Sequence, residues 1–151
     1  MAQGERGTVL TIGYEGKTLD GVLSELSAQE LTRIIDVRAV AESSVPGFSR
    51  DELAQALAGE GLDYVHLGSL GDFQPEPYTD YMETDDWAKA YSRLVEELDK
   101  PGRACILSKP AAVERCHRRF LQRQLVQDGF RVVHLTPAGP REAVTLDQGT
   151  S

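Results

Sequence analysis

Residues 8–26, TVLTIGYEGKTLDGVLSEL, change period half-way along, and that change decides the fold. From 8 to 14 the run is β-branched and aliphatic, as expected of a strand covered on both faces. Glu15-Gly16 breaks it. Leu19, Val22, Leu23 and Leu26 then recur at i, i+3, i+4 and i+7, which is one apolar face of a helix, and Thr18 is placed to cap it.

The same strand-then-helix unit repeats outward along the chain. RIIDV (33–37) precedes a helix carrying Leu53, Ala54 and Leu57, with Ser49 and Glu52 at capping-box spacing. DYVHL (63–67) leads into a loop rich in Gly, Pro and Asp. A helix over about 78–98 follows, with Trp87, Tyr91, Leu94, Val95 and Leu98 on its inner stripe. ACILS (104–108) precedes a helix over about 112–127, and RVVHLT (131–136) closes the series. This alternation predicts a single α/β domain over 1–137, an open, mostly parallel five-stranded sheet with helices on both faces. Residues 138–151 are Gly, Pro and polar and read as a flexible tail. Right-handed crossovers bring the carboxyl ends of all the strands to one edge, where such sheets bind ligands.

Composition narrows the function classes. With 24 acidic against 16 basic residues the net charge is −8, so nucleic acid and anionic membranes meet net repulsion. No apolar run approaches the roughly 20 residues that span a bilayer. The opening MAQGERGTVL lacks the basic start and apolar core of a secretory signal, which points to the cytoplasm. Cys105 and Cys116 form no disulfide framework and read as reduced thiols.

The expected ligand edge gathers Gly13, Tyr14 and Glu15, then Asp36 and Arg38, then His66 to Gly71, Ser108 with Lys109, and His134. TIGYEG matches neither a dinucleotide nor a Walker fingerprint, so it serves either as a turn or as a site. Asp36 and Arg38, two apart on a strand, face the same side. They form an ion pair, or Arg38 reaches out to hold an anion in its planar fork. The polar loop after them carries Ser43, Ser44 and Phe48 and either covers a ligand or merely connects. Glu114 to Phe120 (ERCHRRF) puts Cys116 and His117 near the start of a helix, where amide dipoles lower a thiol pKa and attract anions. Arg115, Arg118, Arg119 and Arg123 either join them or solvate an outer face. His66, His117, His134 and Cys116 match no standard zinc spacing, so neither a metal nor another cofactor is expected. GxSxG is absent, which argues against a serine triad.

Taken in order, TIGYEGKTLDGVLSEL, IIDVR, PGFSRDEL, LDYVHLGSLGD, CHRRFLQRQL and VVHL resemble the domain-of-unknown-function 488 family over about residues 8–135. The resemblance implies a small cytoplasmic α/β protein and supplies a fold and a site more than a reaction. That site would comprise Gly13, Tyr14, Glu15, Asp36, Arg38, Ser43, Phe48, His66, Leu70, Gly71, Cys116, His117, Arg118 and His134. The family usually follows DVR with a proline and a serine-arginine pair, where this chain has Ala41 and Ser43-Ser44. It usually ends the fourth strand in a cysteine with a glutamate two residues on, where this chain has Ser108 and Pro110. Any mechanism needing that thiolate and acid is therefore absent or altered here.

The expectation is an enzyme, a hydrolase or transferase, acting on a small anionic or nucleoside-like molecule. His66, His117, Cys116, Glu15 and Asp36 are its candidate catalytic groups. Gly13, Tyr14, Arg38, Ser43, Phe48, Gly71, Ser108, Arg118 and His134 are candidate binding groups. The alternatives are a non-catalytic member that binds a ligand, a protein partner or a second copy of itself, and an accessory to nucleic acid using the arginine stripe.

Overall fold

The computed structural model describes residues 7–71, 77–109, 118–136 and 139–142. Five parallel strands, β1 (Thr8–Gly13), β2 (Arg33–Asp36), β3 (Asp63–His66), β4 (Ala104–Ser108) and β5 (Arg131–Thr136), lie in the spatial order β3-β2-β4-β1-β5. They are the five expected from the sequence. A sixth strand, β6 (Gly139–Glu142), pairs antiparallel with β5 at the outer edge. This corrects the expected tail, of which Gly139–Glu142 are strand, and raises the strand count. GPRE offers no apolar alternation to reveal it; what draws it in is the unpaired backbone edge of β5.

Helices α1 (Leu19–Ser27) and α2 (Arg50–Gly59) cover one face, packing Val22, Leu26, Leu53 and Leu57 on Leu10, Ile12, Ile34, Cys105 and Leu107. After the short helix α3 (Tyr78–Tyr81), helices α4 (Asp85–Asp99) and α5 (Arg118–Gln127) cover the other. There Trp87, Ala90, Leu94, Leu121 and Leu125 meet Val9, Ile35, Ala104, Ile106 and Val132. Successive residues of each strand thus serve opposite cores, which is why the strands read as unbroken apolar runs.

The chain steps from β1 over β4 to β2 and on to β3 on the α1–α2 face, then returns to β4 and β5 on the α4–α5 face. A reversal of direction must change face if every crossover stays right-handed. The neighbours β1 and β4 therefore send their chains to opposite sides, and the crevice between their ends is the switch point of the sheet.

The single helix expected over 78–98 is two. Thr84 has extended backbone (φ −92°, ψ 158°), and its hydroxyl accepts from the Trp87 amide at 3.2 Å. Asp85 and Asp86 fill the first turn of α4, where the helix dipole favours acids. Sequence periodicity carries through such a break because both helices face the same core. Thr18 caps α1 as expected, accepting from the Gly21 amide at 3.1 Å. Ser49 stands at the start of α2, but its hydroxyl makes no cap bond. No helix of the described residues is long and apolar enough to cross a membrane.

Thr84→Ala should lower the unfolding free energy in urea by about 1 kcal/mol, the usual loss for a removed cap. Thr84→Ser should keep most of it. An alanine variant that unfolds with the wild-type midpoint would show that the α3–α4 break does not depend on the hydroxyl.

Candidate functional site

At the switch point Gly13 is the register partner of Ser108. The ladder runs on past both strands, with the Tyr14 amide donating to the Ser108 carbonyl (3.1 Å) and the Glu15 amide to Lys109 (2.8 Å). Glu15 is exposed beyond them, whereas Ser108 is only 1% exposed. Cys116 and His117 lie outside the described residues, as does Pro110, and Arg118 is described only as the first residue of α5.

On the α1–α2 side, a buried polar network closes the edge. Asp36, fully buried, receives the Arg38 guanidinium side-on, Nε at 2.8 Å from Oδ1 and Nη2 at 2.6 Å from Oδ2. Oδ1 also accepts the Arg38 backbone amide at 3.0 Å, and Oδ2 the Tyr64 hydroxyl at 2.6 Å. Arg38 Nη1 donates to the Phe48 carbonyl (2.6 Å) and the Tyr14 hydroxyl (3.2 Å). Tyr14 stacks on Phe48 with centroids 4.2 Å apart, and its hydroxyl donates to Ser43 Oγ at 3.2 Å. Ser49 Oγ accepts from the Ser43 amide and donates to the Ser43 carbonyl, so the hydroxyl placed to cap α2 instead closes the 43–49 loop. Of the two roles open to Arg38, the ion pair is the one its donors make.

Burial disfavours the Arg38 charge, but the hydrogen bonds and charge of Asp36 outweigh it and hold its pKa above that of an ordinary arginine. The Tyr64 phenol is pushed up, first by burial and then by its bond to the Asp36 carboxylate.

The family model described as "Domain of unknown function DUF488" matches residues 18–125, most of the chain and all of this network except Tyr14. The chain belongs to the DUF488 family. No curated protein and no solved structure matches it.

In this DUF488 domain the network stops at His66. The ring Nε2–H donates to the Arg38 carbonyl at 2.7 Å, so the neutral ring carries its proton on Nε2 and keeps Nδ1 as its basic nitrogen. His66 also lines an open cleft of about 390 Å³ between the turn Gly68–Leu70 and α4, together with Ser69, Asp86, Lys89 and Arg93. The turn is held from above, Tyr81 donating to the Ser69 carbonyl (2.8 Å) and Tyr78 to that of Leu70 (2.9 Å). Leu70 is buried in the core and Gly71 packs on Ala39.

His134 lies elsewhere. It is 2% exposed on the α5 side, with Nδ1 on the Thr11 hydroxyl and Nε2 on Gln122 Oε1. Four strand spacings of about 4.8 Å separate β3 from β5, so His66 and His134 stand roughly 19 Å apart and do not converge. Among the described residues no three His, Cys, Asp or Glu side chains gather as a metal site would need. On α5, Arg119 and Arg123 fold over the Phe120 ring.

The edge therefore brings together Tyr14, Asp36, Arg38, Ser43, Phe48 and His66, and leaves His134 apart. Sequence reasoning missed Tyr64, Ser49, Lys89 and Arg93, while Ser69 falls inside the expected edge segment from His66 to Gly71. Tyr64 carries a usable signal, since it sits two before His66 in the same strand and so points to the same side. Lys89 and Arg93 carry none beyond i, i+4 spacing on a polar helix face.

Asp36→Leu alone should cost about 3–5 kcal/mol in urea unfolding, because it strands a buried cation. Adding Arg38→Met should recover most of that loss; a double variant no more stable than the single one would contradict the pairing. The raised Tyr64 pKa predicts stability that is complete below the free phenol's value of about 10 and is lost as pH rises beyond it. Between pH 9 and about 11 the wild type should therefore lose stability faster than Tyr64→Phe. Parallel profiles would show that Tyr64 titrates as a free phenol.

Proposed function

We propose that this DUF488 domain binds a small anionic molecule in the cleft between the Gly68–Leu70 turn and α4, and acts on it with His66 as the proton-exchanging group. The observation that carries the proposal is the set of groups around that cleft. Lys89 and Arg93 stand one helical turn apart on α4, both exposed and with no ion-pair partner among the described residues. His66 beside them has one nitrogen held by a carbonyl and the other basic. Arg38, whose donors are taken up inside the protein, is replaced in the anion-holding role by this pair.

Two cations at helical spacing match the separated oxygens of a phosphate or carboxylate, and Ser69 adds a hydroxyl. A neutral histidine in contact with such a ligand can accept a proton from it or from a water near neutral pH. Asp86, also on the cleft, would repel an anion at that end and favour a ligand with a neutral or cationic remainder, as in a nucleotide or an amino acid.

A non-catalytic role in ligand or partner binding is the second reading, and Ser108 favours it. Where the family resemblance implies a cysteine, the chain has a serine at 1% exposure, and a hydroxyl is a weaker nucleophile than a thiolate at neutral pH.

The test is a titration with inorganic phosphate followed by calorimetry and by the His66 ring resonances. Lys89→Ala and Arg93→Ala should each weaken binding by about tenfold, as loss of a charged hydrogen bond does. Binding that survives both substitutions would remove the cleft as the anion site. His66→Gln should retain phosphate but lose turnover of a phosphate or carboxylate ester; undiminished turnover would remove His66 as the proton-exchanging group, and no turnover by the wild type would leave a binding function alone.

A further inference from the structure

The geometry points to the Arg38–Ala39 peptide unit as a positioning element for His66, held in place by Arg38 on one side and Gly71 on the other. This rests on the reading of His66 as the proton-exchanging group. Arg38 and Gly71 stand behind the cleft lining and not in it.

The carbonyl of this peptide accepts from His66 Nε2 at 2.7 Å, so wherever the peptide plane goes the imidazole follows. Three things fix that plane. The Arg38 amide is bonded to Asp36 Oδ1 (3.0 Å) while its own side chain folds back onto the same carboxylate, closing a ring from backbone to guanidinium. Leu67, next to His66, donates its amide to the Asp36 carbonyl at 2.9 Å, tying the two chain segments together. Gly71 then lies directly on the Ala39 half of the peptide. A Cβ built on Gly71 would stand 2.3 Å from the Ala39 nitrogen and 2.5 Å from its Cα, and neither atom can give way.

The backbone of Gly71 is ordinary (φ −71°), so glycine is demanded by space and not by conformation. Gly68 is under a milder form of the same constraint, with the Ala39 carbonyl 3.0 Å from its virtual Cβ. Arg38 and Gly71 are thus positioning residues. Neither lines the cleft, and together they set the ring orientation and the proton location of His66, which does. This gives a physical function to an arginine and a glycine 33 residues apart in the chain, which the ion pair and the loop alone leave unexplained.

The experiment reads the exchange of the His66 Hε2 proton by NMR in the full chain, with the His134 ring held by Thr11 and Gln122 as internal reference. Two variants act from opposite sides: Asp36→Leu with Arg38→Met, which removes the buried pair together, and Gly71→Ala, which leaves that pair intact. Each should make the His66 proton exchange roughly tenfold faster, as expected for one lost hydrogen bond, while His134 exchange stays unchanged. An unchanged His66 proton in either folded variant overturns the inference, and so does an equal change at His134. Wild-type protein that fails to bind inorganic phosphate would remove the anion-binding reading, while the His66 exchange would still decide the positioning.

Discussion

The carboxylate of Asp36, fully buried at the end of β2, is the constraint on which the rest of the edge depends. A carboxylate so far from water is costly to bury unless it is matched in both charge and hydrogen bonds. Arg38 supplies the charge and two side-chain donors, Tyr64 a third, and the Arg38 amide a fourth. Once those partners are in place, so are the things attached to them. Tyr64 belongs to β3, Tyr14 follows β1, and the Phe48 carbonyl belongs to the loop before α2. One acid therefore fixes how three strand ends and a loop meet.

Relative to a well-packed apolar replacement, a buried pair of this kind contributes little net stability. Its effect here is geometric. The guanidinium would be better hydrated in an open cleft, but held inward it ties the ends of β1, β2 and β3 together, and the exposed cations beside the cleft are those of α4. The wall of the cleft is firm on its other side as well. Tyr78 and Tyr81 hold the carbonyls of the Gly68–Leu70 turn, and the Trp87 indole donates to Tyr78 at 2.9 Å, joining that clamp to α4. Under the proposed anion-binding role, this construction would hold the polar groups in position before a ligand arrives and lower the entropy lost on binding.

Ser108 and His134 show the opposite outcome for polar residues at strand ends. Both are buried on the α4–α5 face, and His134 uses both ring nitrogens on protein partners. Polarity at a strand terminus is thus a guide to the edge but does not say which residues face the cleft. Tyr14 and Phe48, expected beside a ligand, are likewise fully covered and stack on each other. Chemistry-bearing residues at such an edge divide into those that build it and those that line it, and only their partners distinguish the two.

The sequence by itself determined the five parallel strands, the helices between them and the edge on which polar residues collect. Those features follow from local period and from the rule that crossovers are right-handed, and both are written in consecutive residues. It also determined that Asp36 and Arg38 share a side, since strand alternation is local. Only the tertiary structure decided that they pair with each other, that Tyr64 joins them, and that Lys89 and Arg93 flank His66. Those relations depend on which strand lies beside which and on how α4 lies against the Gly68–Leu70 turn. The partners are set by packing across long stretches of chain, and no pattern of neighbouring residues encodes it.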